Sequence, residues 1–429
     1  MNMKIVSHHD KNFSRLLKGV IHRSAQQNEQ VETSVKSILQ AVKKSGDTAI
    51  ARYVKKFDHL NLQPKQFPVT RKEIHKAHTL IGKEEERALR FAASRIQEFH
   101  ECQRTSTWTY SKGGVRLGQL VTPLDAVGLY VPGGKALYPS SVMMNAIPAK
   151  VAGVKRIVMC TPTATGEIHP YLLVAAEIAG VDEIYRVGGV QAIGGMAFGT
   201  KTIQPVDKIV GPGNLYVATA KRLVYGQVDI DMVAGPSELL VIADGTSDPA
   251  HVAADLLCEA EHDEEARVYL VTTSKRLAQK VVVMIDQQLT RLGRKQIATK
   301  SIRKYAFAFV VPSLAKAFAL SNQIAPEHLA VNLDRAESYL PHIRHAGAIF
   351  LGRYTPPAVA DYVAGPNHVL PTGGSARFFS SLSLDDYVKK SNLVSYSRKE
   401  LKAVNEHVVC LSRMEGLDAH GKSMESRWL

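Results

Sequence analysis

The stretch VGLYVPGGKALYPSSVMMNAIPAKVAGVKRIVMC (127–160) holds a β-branched run, a glycine turn, a helix-like segment and a second β-branched run. Three more runs follow, DEIYRV (182–187), DKIV (207–210) and VDIDMV (228–233), and successive runs begin 28, 27, 25 and 21 residues apart. Strands that alternate with helices at this spacing are typical of βαβ units and a parallel sheet. The stretch therefore predicts an α/β fold.

Glycine-containing turns directly follow every one of these runs except KRIVMC, and they are PGG (132–134), GG (188–189), GPG (211–213) and AGP (234–236). In a parallel sheet such turns meet at the carboxyl edge, where open α/β sheets bind ligands. GPGNLYVATAKR (211–222) joins a strand to a helix, but Tyr216 stands where the dinucleotide fingerprint needs a third glycine. A dinucleotide bound here would be bound without the standard motif.

A second α/β stretch follows the first. SELLVIAD (237–244), ARVYLVTT (266–273), FAFVVPS (307–313) and AGAIFLG (346–352) have the composition of strands, and DPAHVAADLLCEAEHD (248–263) has that of a helix. The first 120 residues are typical of polar helices, and the tail from about 399 to 427 is amphipathic and helical. The chain is thus expected to hold two α/β regions between helical ends.

Composition excludes several classes of protein. The chain has 429 residues, 45% of them hydrophobic, and a formal net charge of +14, so it is neither disordered nor collagen-like. Residues 1–120 carry +11 of that charge, without a helix-turn-helix, RNP or zinc-finger signature. We interpret the excess as solvated helix faces and expect no nucleic-acid partner.

Cysteine usage and the N-terminus indicate a reducing compartment. The four cysteines form no CxxC pair, and MNMKIVSHHDKNFSRLL has no apolar core of a signal peptide. No apolar stretch reaches the ~18 residues of a membrane span. We expect a cytoplasmic protein without membrane contact.

Glu259 and His262 are three residues apart, which places them on one face of the predicted helix. Glu-x-x-His is a spacing by which helical bundles present two metal ligands. The same residues are also compatible with an ordinary solvated helix end. Residues alone leave both interpretations open.

Three more segments carry candidate groups. In NQIAPEHLAV (322–331), Pro326 and Glu327 suit the first turn of a helix, while Glu327 and His328 could instead act as an acid–base pair. PPAVADYVAGPNHVLPTGGSARF (356–378) is a long loop whose Asp361 and His368 are potential ligands or acid–base groups. Glu415 and His420 can share a site only where the helix breaks near Gly416.

Taken together, seven segments resemble histidinol dehydrogenases, over about residues 30 to 420. They are GLYVPGGKALYPSSVMMNAIPAKVAG (128–153), VGGVQAIGGMAFGT (187–200), VDKIVGPGNLYVATAKR (206–222), DMVAGPSELLVIAD (231–244), IAPEHL (324–329), DYVAGPNHVLPTGGSARF (361–378) and EGLDAH (415–420). AGPSE, APEHL and GPNHVLPT are too long for all three to agree by chance.

The resemblance implies a homodimer with one Zn²⁺ per subunit that oxidises L-histidinol through an aldehyde to L-histidine and reduces two NAD. By position it implies His328 as the base and Glu327 as the group that activates water. The implied metal ligands, which would also hold substrate, are Glu259, His262, Asp361 and His420, the last from the partner subunit. Substrate contacts would be Ser237, His368 and Glu415, and NAD contacts Tyr130, Gln191 and Asn214.

The implied fold is α/β, with two incomplete Rossmann-like domains on parallel or mixed sheets and small helical ends in an intertwined dimer. We place a dimer-contact segment at 1–25 and a metal- and substrate-binding domain at 26–125 plus 237–380. An NAD-contacting domain would occupy 126–236. A helical segment at 381–429 would contribute to the partner's site.

Two positions depart from the family pattern. Glu259 stands in EAEH where the family usually has QAEH, and Ala360 stands where Gly is usual. With Asp361 and two neutral histidines, Glu259 lowers the formal charge of a Zn²⁺ site from one positive charge to neutral. We therefore predict that the site still binds metal, more tightly and with more tolerance for harder ions such as Mn²⁺.

Other functions compete with this one. The first is a related metal- and NAD-dependent dehydrogenase of another small polar alcohol, although Glu327, His328, His368 and Glu415 favour histidinol. A catalytically silent homologue is the second, because Glu259 departs from the pattern. A nucleic-acid-binding protein would leave AGPSE, APEHL and GPNHVLPT without a reason.

Overall fold

The structure is a computed structural model that describes residues 3–23, 29–133 and 136–428. It divides into two compact units, the first formed by Met1–Gln103 and Leu124–Tyr387 and the second by Arg104–Pro123 and Val388–Leu429. The strands are β1 (Lys4–Ser7), β2 (Trp108–Lys112), β3 (Val115–Pro123), β4 (Ala126–Tyr130), β5 (Arg156–Cys160), β6 (Glu183–Tyr185), β7 (Lys208–Val210), β8 (Asp229–Ile230), β9 (Glu238–Ala243), β10 (Arg267–Thr272), β11 (Phe307–Val310), β12 (His328–Asn332), β13 (Ala348–Leu351) and β14 (Val388–Tyr396).

Helices connect most of these strands. They are α1 (Phe13–Ile21), α2 (Glu29–Phe57), α3 (Arg71–His78), α4 (Lys83–Glu101), α5 (Pro139–Ala152), α6 (Pro170–Ile178), α7 (Gly189–Phe198), α8 (Leu215–Val224), α9 (Pro249–Ala260), α10 (Lys275–Leu289), α11 (Lys295–Tyr305), α12 (Leu314–Ile324), α13 (Pro357–Tyr362), α14 (Arg398–Met414) and α15 (Asp418–Glu425). None of the helices in the described ranges is long and apolar enough to span a membrane.

The five runs from 127 to 233 form a five-stranded parallel sheet in the order β6-β5-β4-β7-β8, as their alternation with helices predicts. Strand order reverses at β4, so the loops after β4 and β7 flank a switch point at the carboxyl edge. Buried apolar side chains cover both faces of this sheet. The expected α/β fold with parallel sheets is confirmed.

The helices of residues 29–101 pack against this five-stranded sheet, whereas we predicted that 26–125 would join 237–380. Apolar side chains of α2 share one buried cluster with α7 and α8. Helices α2 and α7 come close because Gly194 of α7 has no side chain, and a Cβ there would lie 3.2 Å from Val42 of α2. The grouping is wrong because the apolar stripe of a helix does not say which sheet it will cover.

A second parallel sheet has six strands within the described ranges, in the order β1-β11-β10-β9-β12-β13. Its edge strand β1 pairs with β11, so residues predicted to form a dimer-contact segment complete a sheet of their own chain. Residues 24 and 25 lie outside the described ranges. We predicted parallel or mixed sheets, and both large sheets are wholly parallel.

The segment after α12 corrects one expectation. Pro326 and Glu327 do not begin a helix, because α12 ends at Ile324 and the left-handed Ala325 (φ 50°) turns the chain away. His328 then begins β12, which lies between β9 and β13 with all five residues buried. Burial between two neighbouring strands outweighs the local preference for a helix start, so the segment forms a strand.

The second unit contains an antiparallel sheet in the order β14-β3-β2, together with α14 and α15. The predicted helical segment 381–429 therefore also contains the nine-residue strand β14. The tail helix breaks where we expected, because Gly416 has a φ of +70° between α14 and α15. Glu415 and His420 both lie in this unit, and both are exposed.

Candidate active site

Glu327 and His328 lie at the amino edge of the six-stranded sheet, where β9, β12 and β13 all begin. Both side chains are buried. The usual ligand position in open α/β sheets is the carboxyl edge, so this site departs from that rule. It does so because α9 runs back across the sheet after β9 and places its last turn beside His328.

The carboxyl group of Glu327 is held by the backbone. Its Oε2 accepts a hydrogen bond of 2.8 Å from the N–H of Glu238, the first residue of β9. Burial raises the pKa of Glu327 well above its ordinary value, and the negative charge of Glu259 adds to that rise. A carboxyl group with a raised pKa is a stronger base near neutral pH than an exposed one.

The imidazole of His328 is oriented by the same residue. Its Nδ1 lies 3.1 Å from the carbonyl oxygen of Glu238 and 3.3 Å from Oε2 of Glu259. Since a carbonyl oxygen can only accept, Nδ1 carries the proton and Nε2 is left as an acceptor. This is the tautomer that a general base needs.

A cavity of about 340 Å³ adjoins His328. His328 and His368 contribute polar atoms to its lining, and Phe350 stacks on the His328 ring at 5.8 Å between centroids. Ala360, the residue that replaces the usual Gly, also lines the cavity. The cavity has the size of a site for a small polar molecule.

Glu259 and His262 meet at the end of α9, as their spacing predicts. Glu259 is buried, His262 lies just beyond the helix, and His262 Nδ1 is 3.7 Å from Oε1 of Glu259. Burial lowers the pKa of His262, but the charges of Glu259 and Asp361 outweigh it, and the net shift is upward. The negative charges of Glu259 and Asp361 therefore favour a cation beside His262.

The donor set fits a divalent metal. Oε1 of Glu259 is buried and has no hydrogen-bond partner within the described part of the chain, although a buried carboxylate oxygen requires one. Ligand atoms of Glu259, Glu327 and His328 all lie within 4.8 Å of one another, a set that shares only Glu259 with the four predicted ligands. Imidazole and carboxylate ligands are those that Zn²⁺ accepts.

The four predicted ligands are only partly brought together within the chain. Asp361, at the end of α13, lies 4.0 Å through Oδ1 from Nδ1 of His368, whereas His420 belongs to the second unit. His368 is held from both sides, by the Asp361 carbonyl at 3.2 Å from Nδ1 and by Ser141 Oγ at 3.3 Å from Nε2. Burial lowers the pKa of His368.

Ser141 connects this cavity to the other sheet. It lies in the first turn of α5, the helix that follows β4. In the next turn of α5, the Met144 carbonyl oxygen accepts a 2.6 Å hydrogen bond from the Asn367 side chain. The carboxyl edge of the five-stranded sheet therefore lies next to the amino edge of the six-stranded sheet. Ser141 was not predicted as a site residue, because nothing in SSVMMN marks its contact with His368, more than 200 positions away.

The predicted NAD-contacting residues lie at the carboxyl edge of the five-stranded sheet. Tyr130 ends β4 and its hydroxyl accepts a 3.1 Å hydrogen bond from the Gly189 N–H. Asn214 caps α8, and Gln191 in α7 has a buried Oε1 without a partner in the described ranges. Gly211 has a φ of +110°, and a Cβ there would lie 2.2 Å from the Tyr130 carbonyl oxygen.

Two predicted substrate contacts remain. Ser237 is half-buried and directly precedes β9, where its carbonyl accepts the Arg267 N–H at 2.9 Å. Glu415 follows α14 in the second unit. Glu238, within AGPSE, was not a predicted site residue, although its backbone contacts both Glu327 and His328.

Two parallel sheets, a buried carboxyl–imidazole pair and a cavity beside it define an α/β enzyme of acid–base chemistry. A family model described as histidinol dehydrogenase matches residues 21–428. The chain belongs to the histidinol dehydrogenase family, oxidoreductases of histidine biosynthesis.

Individual members of this family are similar to the chain over nearly its whole length. The chain is 51% identical to a histidinol dehydrogenase of Syntrophotalea carbinolica, over 99% of each chain. It is 51% identical to that of Bacillus cereus strain ATCC 10987, over 93% of each. A crystal structure of histidinol dehydrogenase from Elizabethkingia anophelis has 38% sequence identity and a TM-score of 0.93, covering 99% of this chain and 98% of that one.

Proposed function

We propose that this oxidoreductase converts L-histidinol to L-histidine in two successive NAD-dependent oxidations at one carbon. The observation that carries the proposal is the buried Glu327–His328 pair, whose two side chains are held by one backbone residue beside a small cavity. Two oxidations require one group that removes a proton from an alcohol and one that activates water. The pair supplies both.

In the first oxidation, Nε2 of His328 accepts the proton of the substrate hydroxyl as a hydride leaves the same carbon. The hydrogen bond from Nδ1 to the Glu238 carbonyl keeps the ring in the tautomer that accepts at Nε2. The resulting imidazolium lies beside Glu259, whose carboxylate is 3.3 Å from Nδ1. Glu259 therefore stabilises the charge that His328 gains.

In the second oxidation, Glu327 removes a proton from water as its oxygen bonds to the aldehyde carbon. His328 first releases the proton that it took from the alcohol. The hydrate anion formed by water attack then loses a hydride from its carbon and a proton to His328, and the product is a carboxylate. In total, two hydrides pass to two NAD, one water is consumed and three protons are released. Burial raises the pKa of Glu327, so its carboxylate is a stronger base toward water than an exposed carboxylate.

Glu259, His262 and Asp361 would hold a zinc ion, with His420 of a second copy of the chain as a further ligand. When bound, zinc would hold the imidazole and amino nitrogens of the substrate, so that the aldehyde stays in place between the two oxidations. The unpartnered Oε1 of Glu259 supports this assignment. Ser237, His368 and Glu415 would contact the substrate, with Glu415 also supplied by the second copy.

NAD would bind at the switch point of the five-stranded sheet, against Tyr130, Gln191 and Asn214. The absent Cβ of Gly211 leaves that loop close to the end of β4, and the N-terminus of α8 follows it. Ser141 links the same edge to His368. This adjacency supports hydride transfer from the cavity to the cofactor.

The family resemblance assigns His420 and Glu415 to the site of a second copy of the chain. The second unit exposes large apolar side chains, which are typical of a subunit contact: Trp108, Tyr110, Val394, Tyr396, Leu411 and Met414. All four cysteines are free thiols, which suits the cytoplasm. We propose a cytoplasmic homodimer.

The stoichiometry of NADH tests the function. We expect two NADH per L-histidinol in an absorbance assay with limiting substrate. One NADH per molecule of another small polar alcohol, with none from L-histidinol, would show a related dehydrogenase instead. No NADH from any such alcohol would show a silent homologue.

The carboxylate of Glu259 should strengthen metal binding. We expect Glu259→Gln to weaken zinc binding by about 10-fold, because it removes one negative ligand charge. We also expect it to raise the preference for Zn²⁺ over Mn²⁺, because the anionic oxygen that suits a hard ion such as Mn²⁺ becomes a neutral amide oxygen. Competition with a chromophoric chelator measures both affinities.

The control for this prediction is Glu261→Gln, which removes the same charge from a half-buried neighbour that is not a predicted ligand. Zinc affinity should change little there. A wild-type protein that is folded, active and free of metal in elemental analysis would contradict the metal assignment.

A further inference from the structure

One residue, Glu238, contacts both members of the catalytic pair through its backbone. Its N–H donates to Oε2 of Glu327 at 2.8 Å, and its carbonyl oxygen accepts from Nδ1 of His328 at 3.1 Å. Any shift of Glu238 therefore changes the carboxyl and the imidazole together. What holds Glu238 in place also sets the geometry of the site.

Arg23, from the N-terminal segment, holds the side chain of Glu238. Its Nε and one terminal nitrogen donate to the two carboxylate oxygens in a bidentate ion pair. Both side chains are almost fully buried, with exposed fractions of 2% and 1%. Bidentate pairs of this kind fix orientation as well as distance.

Arg23 also holds the chain that leads into Glu327. Its other terminal nitrogen donates to the carbonyl of Ile324 at 2.9 Å and to that of Val20 at 3.0 Å. Ile324 ends α12 and precedes the left-handed Ala325. One guanidinium therefore joins the start of β9 to the turn from which Glu327 and His328 emerge.

The backbone of Arg23 is fixed as well. Its carbonyl oxygen accepts a 2.9 Å hydrogen bond from Arg267 at the start of β10. The N-terminal segment is thus tied to the sheet at β1, through its pairing with β11, and again at Arg23. Arg23 cannot move independently of the sheet edge that carries the site.

We propose that Arg23 is a positioning residue for Glu327 and His328, acting through Glu238, and this role rests on the proposed function. A buried ion pair is not needed for stability alone, since apolar residues of similar volume often stabilise a fold as well or better. Here the pair holds the one residue whose two backbone groups orient the base and the water-activating carboxyl. The N-terminal segment therefore belongs to the active-site scaffold.

Arg23→Met and Arg23→Lys in the zinc-loaded protein test this role. We expect Arg23→Met to lower kcat for L-histidinol by about 10²-fold, because displacement of a catalytic group by a fraction of a bond length has effects of that size. KM should change by less than about 3-fold, since the interaction lost serves the transition state. Arg23→Lys should recover part of kcat, because it restores charge without the bidentate fork. Rates are expressed per bound zinc, so that unfolded protein does not count.

Arg186→Met is the matched structural control. Arg186 donates to Glu73 at 2.7 Å and to the carbonyls of Gly166 and Pro68, so its loss also breaks an ion pair with backbone hydrogen bonds. It should lower the thermal midpoint while kcat stays within about 2-fold of wild type. Folded Arg23 variants that also keep kcat within this range would overturn the proposal.

Two further measurements keep the test decisive. Glu238→Gln keeps the shape of the side chain and removes its charge, so it replaces Arg23→Met as the test if that variant does not fold. It should lower kcat in the same manner. ¹⁵N-histidine NMR reads the His328 tautomer without any turnover, with the signal assigned by its loss in His328→Asn. We expect the Nδ1–H form in wild type and a mixture in Arg23→Met or Glu238→Gln. An unchanged tautomer with unchanged kcat refutes the positioning role, whereas absence of NADH from wild type refutes the proposed function alone.

Discussion

His328→Asn is expected to lower the rate of NADH formation from L-histidinol by about 10³-fold, the scale of losing a general base. Asparagine can still occupy the space beside Glu238, but its amide cannot take a proton from the substrate hydroxyl. The loss should affect both oxidations, because in the proposed function the alcohol and the hydrate each give a proton to His328. Steady-state rates with saturating NAD measure the effect.

The control for this loss is His100→Asn. His100 is also buried, with Nδ1 at 2.8 Å from the Ile96 carbonyl, but it lies in α4 and does not line the cavity. That variant should lose stability while its kcat stays close to wild type. A folded His328→Asn protein with wild-type turnover would exclude His328 as the base.

Glu327→Gln is expected to separate the two oxidations. The first does not need activated water, so one NADH should still form per L-histidinol. The second should slow by about 10²- to 10⁴-fold, because glutamine cannot remove a proton from water. Rapid mixing with limiting L-histidinol should then show a first phase of NADH and a much slower second phase.

This prediction depends on Glu327→Gln slowing only the second oxidation, that of the aldehyde. L-Histidinal supplied directly should react as slowly in Glu327→Gln as the second phase. Asp255→Asn is the control, since it neutralises another carboxyl whose burial raises its pKa, here to about 6. Two NADH at the wild-type rate from Glu327→Gln would show that another group activates water.

Much of the fold was predictable because it depends on local pattern. The β-branched runs at 127–160 and beyond became strands β4 to β8, and the stretch with Glu259 became α9. Strand β12 was not predictable in this way, since Pro326 and Glu327 also satisfy the rules for a helix start. The buried position between β9 and β13 overrides those rules, and it exists only after the sheet has formed.

The contacts among the candidate site residues were predictable only in part. The Glu259–His262 contact follows from helical spacing, and the structure shows it at 3.7 Å. The contact between Glu259 and His328 joins residues on α9 and β12, which no local period relates. The ligand role of His420 stays a prediction, because that residue lies in the second unit.

The sequence by itself determined the α/β class, the parallel sheets and, through its resemblance to a family, the reaction. The tertiary structure alone decided that Glu327 and His328 lie at an amino edge and that Arg23 reaches Glu238, 215 positions away. The physical reason is that sequence patterns are local, whereas the contacts of the site join distant parts of the chain. Periodicity and glycine positions report the burial of each residue against its own element, whereas pairing of buried charges depends on which elements pack together.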